Sequence, residues 1–410
     1  MKTADTLRDP FPVNANAGAA GSAGVSANTS AHAAMAAGSS SAVFAPSEPD
    51  AFAAAAPGHR LASLQTSSHD DTAPAYSCRE NRAGHRPGVV LHALIGAGLD
   101  HLGLPGHGKT LLRWRALAAV AARDLSLVKL YEGHTDAKAI LAEATGVDGS
   151  VASVALSGGA WGVWCAEQPD ARLSIVPDPG GEPGYVRISG VKAWCSGAAE
   201  LNHALVSGWN AGGEPCLAAV DFRQSGIRVT RDGWSAVGMV AAASVDVHFD
   251  SALGRAIGPA GFYTARPGFW HGGAGIAACW YGAAAGLADA MRLKLARENN
   301  PHALAHLGAA DVALSSAAAS LRKTAQWIDE HPDEDARLPA LRLRMIVENG
   351  AEAVLIAAGR AMGVAAFSRD PATSRVLADL PVFLRQSHAE QDLAALGSLL
   401  LEGEDSPWTL

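Results

Sequence analysis

Apolar side chains between Leu111 and Ala121 recur at three- and four-residue steps, at Leu111, Trp114, Leu117, Ala118, Val120 and Ala121. That spacing puts them on one face of a helix, and the helical pattern runs from Val89 to about Thr145. It predicts a short α-domain over 86–149. Beyond residue 150 the period changes. Ala171-Arg-Leu-Ser-Ile-Val, Gly184-Tyr-Val-Arg-Ile-Ser, Cys216-Leu-Ala-Ala-Val-Asp-Phe222, Gly226-Ile-Arg-Val-Thr and Val245-Asp-Val-His-Phe are short β-like runs. Turn signals at Asp178-Pro-Gly-Gly, Asn210-Ala-Gly-Gly and Arg231-Asp-Gly separate them, which predicts a middle β-barrel or sandwich over 150–262. From about Gly268 the chain reads as helix again, with runs near 269–297, 303–330, 337–363 and 379–402. Asn299-Asn-Pro301, His331-Pro-Asp333 and Arg369-Asp-Pro371 interrupt these runs, so a C-terminal four-helix bundle is expected over 263–403. Residues 1–85 are rich in Ala, Ser, Gly and Pro and carry few large apolar groups, the composition of a disordered arm. The fold class expected is therefore α+β.

Composition narrows the chemistry. At 410 residues the chain can bury a large core. A net charge of −8, with Lys and Arg scattered, gives no basic stripe for nucleic acid. The cysteines Cys78, Cys165, Cys195, Cys216 and Cys279 form no C-x-x-C pair, which argues for reduced thiols and against a structural metal. Acidic residues in Met1-Lys-Thr-Ala-Asp-Thr-Leu-Arg-Asp do not suit a signal peptide, and no uninterrupted run of about 18 apolar residues follows. A cytoplasmic protein with no membrane partner is the expectation.

Gly103-Leu-Pro-Gly-His-Gly-Lys-Thr110 matches the phosphate-binding pattern G-x-x-x-x-G-K-[ST], with Leu217-Ala-Ala-Val-Asp221 as a possible magnesium strand. Such a loop needs a strand running into it and alternating β and α elements after it. The meander-like β region and the helical bundle that follow cannot build that sheet. A plain turn before a helix at Thr110 is the better reading.

Two segments carry more information. Trp161-Gly-Val-Trp-Cys-Ala-Glu167 and Gly190-Val-Lys-Ala-Trp-Cys-Ser-Gly197 flank the first β-like runs. With the α, β, α order, the chain resembles the acyl-CoA dehydrogenase superfamily over about residues 100–400. The resemblance implies FAD, with Trp194 packed on the flavin ring and Ser196 donating toward its polar edge. Cys165-Ala-Glu-Gln-Pro169 stands where the family has Leu-Thr-Glu-Pro, so Glu167 matches while Ala166 lacks the hydroxyl. Arg297, His306 and Gly359 fall near positions that reach the flavin's phosphate and adenine portions, in part across a subunit boundary. A homodimer or homotetramer is implied.

The family's base is missing. Arg375-Val-Leu-Ala-Asp379 aligns with the start of its last helix, and counting onward puts Ser387 where a Glu should remove the substrate proton. His388 and Glu390 are the nearest ionisable groups, and helix geometry would raise Glu390 onto the same face. Tyr131-Glu-Gly-His-Thr135 looks like the missing motif but lies in the first α-domain, and reads as coincidence. The leading expectation is hydride transfer from an acyl-thioester-like substrate such as an acyl-CoA to flavin and on to an electron acceptor. A flavin monooxygenase using His134 with His388 is the alternative, and a catalytically silent scaffold the third reading.

Overall fold

The computed structural model describes residues 86–147, 154, 158–297, 300–403 and 406–409. The arm expected over 1–85, with Cys78, lies outside them. Three helices open the described chain: α1 (Pro87–Gly96), α2 (Thr110–Ala121) and α3 (Leu125–Val147). Seven strands follow: β1 (Trp161–Trp164), β2 (Leu173–Pro177), β3 (Tyr185–Cys195), β4 (His203–Trp209), β5 (Pro215–Asp221), β6 (Ile227–Val229) and β7 (Val245–Ala256). The ladders β4–β5, β5–β7, β7–β3 and β3–β2 are antiparallel. A parallel bridge at Ser174 and Trp209 joins β2 back to β4 and closes the ring, so the middle layer is a barrel with β1 on β4 and β6 on β7.

The second helical part comprises α4 (Phe262–Ala265), α5 (Gly268–Leu295), α6 (Pro301–Glu330), α7 (Arg337–Met362), α8 (Val364–Ser368), α9 (Pro371–Phe383) and α10 (Glu390–Glu402). The interruptions read from sequence are caps. Asn300 accepts from the amides of His302 and Ala303, and Asp370 accepts from those of Ala372 and Thr373, each just before a proline that needs no amide bond. The fourth helical run differs from expectation. It starts at Pro371, breaks through a 3-10 turn at Leu384–Gln386, and resumes only at Glu390 after Ala389 takes a left-handed φ of 45°.

Glycine and alanine let the layers approach closely. A Cβ on Gly282 of α5 would lie 2.2 Å from the Ala118 carbonyl oxygen of α2, so only glycine permits this crossing. The barrel is tied to α9 in the same way: a Cβ on Gly238 would lie 2.1 Å from the Ala378 carbonyl, and the adjacent Met239 amide donates to Asp379 Oδ1 at 2.5 Å. Helix α6 packs one face on α5 and α7. Its 18-residue window of mean hydropathy 1.2 is only 17% buried, so by length and composition it could also cross a membrane.

The Gly103–Thr110 loop is occupied by protein. Asp329 of α6 accepts from the amides of Gly108 (2.9 Å) and Thr110 (3.1 Å) and from Thr110 Oγ1 (2.6 Å). A carboxylate thus caps α2 where a phosphate would sit, favoured by the helix dipole. Replacing Asp329 with Ala is expected to destabilise the fold by about 1–2 kcal/mol in urea denaturation. ATP added to the wild type is expected to leave that midpoint unchanged.

Candidate functional site

Strand β3 ends in a register shift between Lys192 and Cys195. The shift sends Lys192 and Cys195 inward and Trp194 outward, with the Trp194 side at 44% exposure and its φ at 58°. A left-handed tryptophan costs about 1–2 kcal/mol, a strain that the surrounding loop must hold in place. Met239 (φ 55°) and Ala243 (φ 43°), on the loop bonded to this edge, are strained in the same sense. The Gly197 amide donates to Ala242 O at 2.7 Å, Ser196 Oγ meets Ser244 Oγ at 2.8 Å, and Trp164 Nε1 donates to Ser196 O at 3.2 Å. Lys129, Leu130 and Gly133 of α3 face Gly162, Trp164 and Ser196 across a narrow cleft of about 10 Å³.

Beneath this edge the barrel buries an ion pair. Lys192, with no exposure, donates to Glu167 Oε1 at 2.7 Å and to Ser207 Oγ at 2.9 Å. Ser207 Oγ also donates to Glu167 Oε1, while Glu167 Oε2 is buried without a partner. Glu167 is therefore turned into the barrel, whereas its neighbour Ala166 is exposed. Burial pushes the Cys165 thiol up to about 11 despite the Lys192 charge, so it stays protonated at neutral pH.

On α3, Glu132 is 12% exposed, with Lys129 Nζ 3.9 Å from its carboxylate. Burial pushes Glu132 up to about 7 and the Asp136 charge adds to this, while Lys129, Arg113 and Arg344 oppose it. Asp136 abuts α5, where a Cβ on Gly272 would lie 2.8 Å from Asp136 Oδ1 and a Cβ on Gly273 would meet open space. Arg344 of α7 connects this face to the chain's end. It donates to Gly273 O at 2.8 Å and Gln386 O at 2.9 Å, with its guanidinium 4.9 Å from the centre of the Trp280 ring.

The break after α9 redistributes the residues expected to supply the base. Ser387 is buried and its hydroxyl accepts from the Ala389 amide at 3.1 Å. His388 is half-exposed, with Nδ1 3.3 Å from Asp392 Oδ1 and its amide donating to Asp392 Oδ2 at 3.1 Å. Burial raises Asp392, but the His388 hydrogen bonds and the Arg344 charge outweigh it and hold the carboxyl below its ordinary value. Glu390 is exposed at the start of α10. The expectation that Glu390 shares a helical face with Ser387 is therefore corrected: no helix spans Ser387–Ala389.

His134 is committed to structure. Its Nδ1 accepts from the Trp161 amide at 3.2 Å, which leaves Nε2–H to donate to Asp100 Oδ2 at 3.1 Å. Lys138 Nζ shares that oxygen at 2.7 Å. No contact among the described residues joins His134 to His388. Arg297 is exposed after α5, His306 is half-buried on α6, and Gly359 lies in the last turns of α7 facing the Phe367 ring. Among the described residues, no contact brings these three to Trp194. Sequence reasoning missed Lys129, Ser244 and Arg344, and dismissed Glu132. The one available signal was the Lys129/Glu132/Asp136 spacing, which places charges on one face of the helix.

The sequence matches no family model and no curated protein. Its fold does match solved structures. FMN-bound TdsC from Paenibacillus sp. A11-2 superposes with a TM-score of 0.69 at 19% identity, covering 84% of this chain and 96% of its own. KijD3 in complex with FMN and a dTDP-linked amino-keto sugar gives 0.69 at 20% identity, over 88% and 94%. The methanesulfinate monooxygenase MsuC from Pseudomonas fluorescens gives 0.69 at 18%, over 85% and 97%. The chain shares with them a mixed α+β, acyl-CoA dehydrogenase-like fold.

Removing one partner of the buried Lys192–Glu167 pair strands a charge in the barrel. Glu167→Ala is expected to lose about 3–5 kcal/mol of stability in chemical denaturation. The double variant Lys192→Met/Glu167→Ala is expected to regain most of that loss, because no charge is then left unpaired.

Proposed function

We propose that this chain is a flavin-dependent monooxygenase that takes reduced flavin and dioxygen and oxygenates a small organic substrate. The observation that carries the reading is Trp194: a large apolar ring presented to solvent on strained backbone at the barrel edge. Exposed indole of this kind is a stacking platform for a flat heteroaromatic ring. The donor set beside it fits a flavin's polar edge, because Ser196 and Ser244 bond each other and still have lone pairs and one proton to offer. The fold shared with FMN-bound TdsC and KijD3 supports the cofactor class, and the fold shared with MsuC supports oxygenation over dehydrogenation.

A reduced flavin supplies two electrons and activates dioxygen, one oxygen atom entering the substrate and the other leaving as water. The protein's part is placement. Trp194 would fix the ring, Ser196 would orient its edge, and the cleft between α3 and β1 would exclude water from the reacting face. The acyl-thioester dehydrogenase reading has less support, because the tail turn offers a buried Ser387 and an exposed Glu390 where a carboxylate is needed. FMN, held by TdsC and KijD3, is the form to test against FAD. Self-association through the uncovered apolar side of α6, where Leu304 and Val312 are exposed, and a cytoplasmic setting complete the proposal.

Titrating the protein with FMN and with FAD should give a shifted two-band flavin spectrum for one of them, and Trp194→Ala should weaken that binding about tenfold or more. Under air, with a separate reductase supplying reduced flavin, oxygen from labelled dioxygen should enter a small aromatic, sulfur or amine substrate. Anaerobic bleaching of bound flavin by acyl-CoAs would instead establish the dehydrogenase reading.

A further inference from the structure

We propose that a second small-molecule site lies beside the Gly103–Thr110 loop and that its ligand is a small monocarboxylate with an apolar body, such as an aromatic acid. The place is a cavity of about 400 Å³ between residues 100–109, α2 and α3, within the size range of small-molecule pockets. Asp100, Lys109, Arg113 and Lys138 line it together with Leu102 and Leu104. It lies on a different face of α3 from the cleft at Ser196: Lys138 and Ala142 line the cavity, Leu130 and Gly133 the cleft. The site therefore stands whether or not the flavin reading does.

The observation that points to an anion is Arg113. It is 6% exposed, yet its one hydrogen bond among the described contacts is a donation to Gly103 O at 3.5 Å. Other buried guanidinium groups of this chain close onto acceptors, Arg266 onto Glu143 at 2.6 Å and Arg344 onto two carbonyls. Burial works against the Arg113 charge, and the Asp136 and Glu132 charges favour it, but neither carboxylate bonds the guanidinium among the described contacts. A planar fork with donors to spare on a cavity wall is the geometry that takes a carboxylate by two parallel bonds.

Two more cations share the wall. Lys138 Nζ is held by Asp100 Oδ2 at 2.7 Å, and His134 Nε2 donates to the same oxygen. Burial raises Asp100, but the His134 and Lys138 hydrogen bonds outweigh it and hold the carboxyl well below its ordinary value, so it stays ionised. Lys109 is exposed and makes no ion pair among the described residues. Lys109, Arg113 and Lys138 thus face one fixed carboxylate, with Asp136 and Glu132 close to Arg113. That balance favours a single negative charge on the ligand, and Leu102 and Leu104 offer its body an apolar surface. A polyanionic nucleotide suits this wall poorly.

The test titrates the full chain calorimetrically with benzoate, benzamide and inorganic phosphate, each with and without FMN. Benzoate should bind once per chain with a dissociation constant of about 1 mM or tighter, unchanged by FMN. Benzamide, of the same shape without the charge, and phosphate, without the apolar body, should each bind at least about tenfold more weakly. Arg113→Lys keeps the charge but loses the fork, and should weaken benzoate about tenfold. Two variants at less buried positions avoid the risk of misfolding. Lys109→Gln should weaken benzoate about two- to fivefold, and Leu104→Trp should fill the cavity and remove the binding heat. Both should leave FMN affinity as in the wild type.

No saturable benzoate binding at about 10 mM overturns the site. Benzoate bound as tightly by Arg113→Lys and Leu104→Trp as by the wild type overturns its placement. Displacement of benzoate by FMN puts the ligand at the flavin cleft and overturns the placement as well. Benzamide bound as tightly as benzoate overturns the recognition of charge, and phosphate bound more tightly than benzoate overturns the carboxylate class. Saturable benzoate binding by a chain that binds no flavin overturns the proposed function alone.

Discussion

A single buried guanidinium holds the pieces of this molecule in register. Arg344, 7% exposed, spans from the α5 carbonyl of Gly273 to the Gln386 carbonyl beyond α9 while lying over Trp280. Taking that charge out of water costs several kcal/mol, and carbonyl dipoles, the indole face and the nearby Asp392, Glu348 and Glu132 offset it. The arrangement has two consequences. It pins the turn that carries Ser387 and His388 against the bundle, and it sets a positive charge near a face of α3 that bears two carboxylates. Glu132 and Asp136, one helical turn apart, repel each other there, and Lys129, Arg113 and Arg344 together oppose that repulsion.

The barrel contributes strain rather than charge to the same region. Left-handed Trp194, Met239 and Ala243 lie on segments joined by the Gly197–Ala242 and Ser196–Ser244 hydrogen bonds, while the Lys192–Glu167 pair braces the interior behind them. Strained backbone persists only where neighbouring contacts over-determine it. Here those contacts come from the α9 docking at Gly238 and Asp379, so the indole's position depends on the bundle as well as the barrel.

Much of the fold was legible in the sequence because its signals are local. Period changes, the caps at Asn300 and Asp370, and the glycine-rich start of α5 announce helices, strands and their ends within a few residues. The phosphate-loop match was rejected on context, and the Asp329 cap gives the physical reason, although nothing in the sequence pairs residue 110 with residue 329. The break at Ser387–Ala389 was invisible: no glycine marks it, and an alanine takes the positive φ. The site was half legible. Trp194 and Ser196 stand on a motif, but Glu132 acquires meaning only through Arg113 and Arg344, which reach it from other helices. The Lys192–Glu167 pair was illegible for the same reason, since its two residues lie far apart in the sequence.

The claim on which the account turns is that Trp194 and Ser196 form the floor of a flavin site. A crystal structure of the protein with FMN tests it most directly. The account predicts the ring stacked on the Trp194 indole at van der Waals distance, about 4 Å, with its polar edge toward Ser196. FMN bound elsewhere, with the Trp194 ring still in solvent, would contradict it.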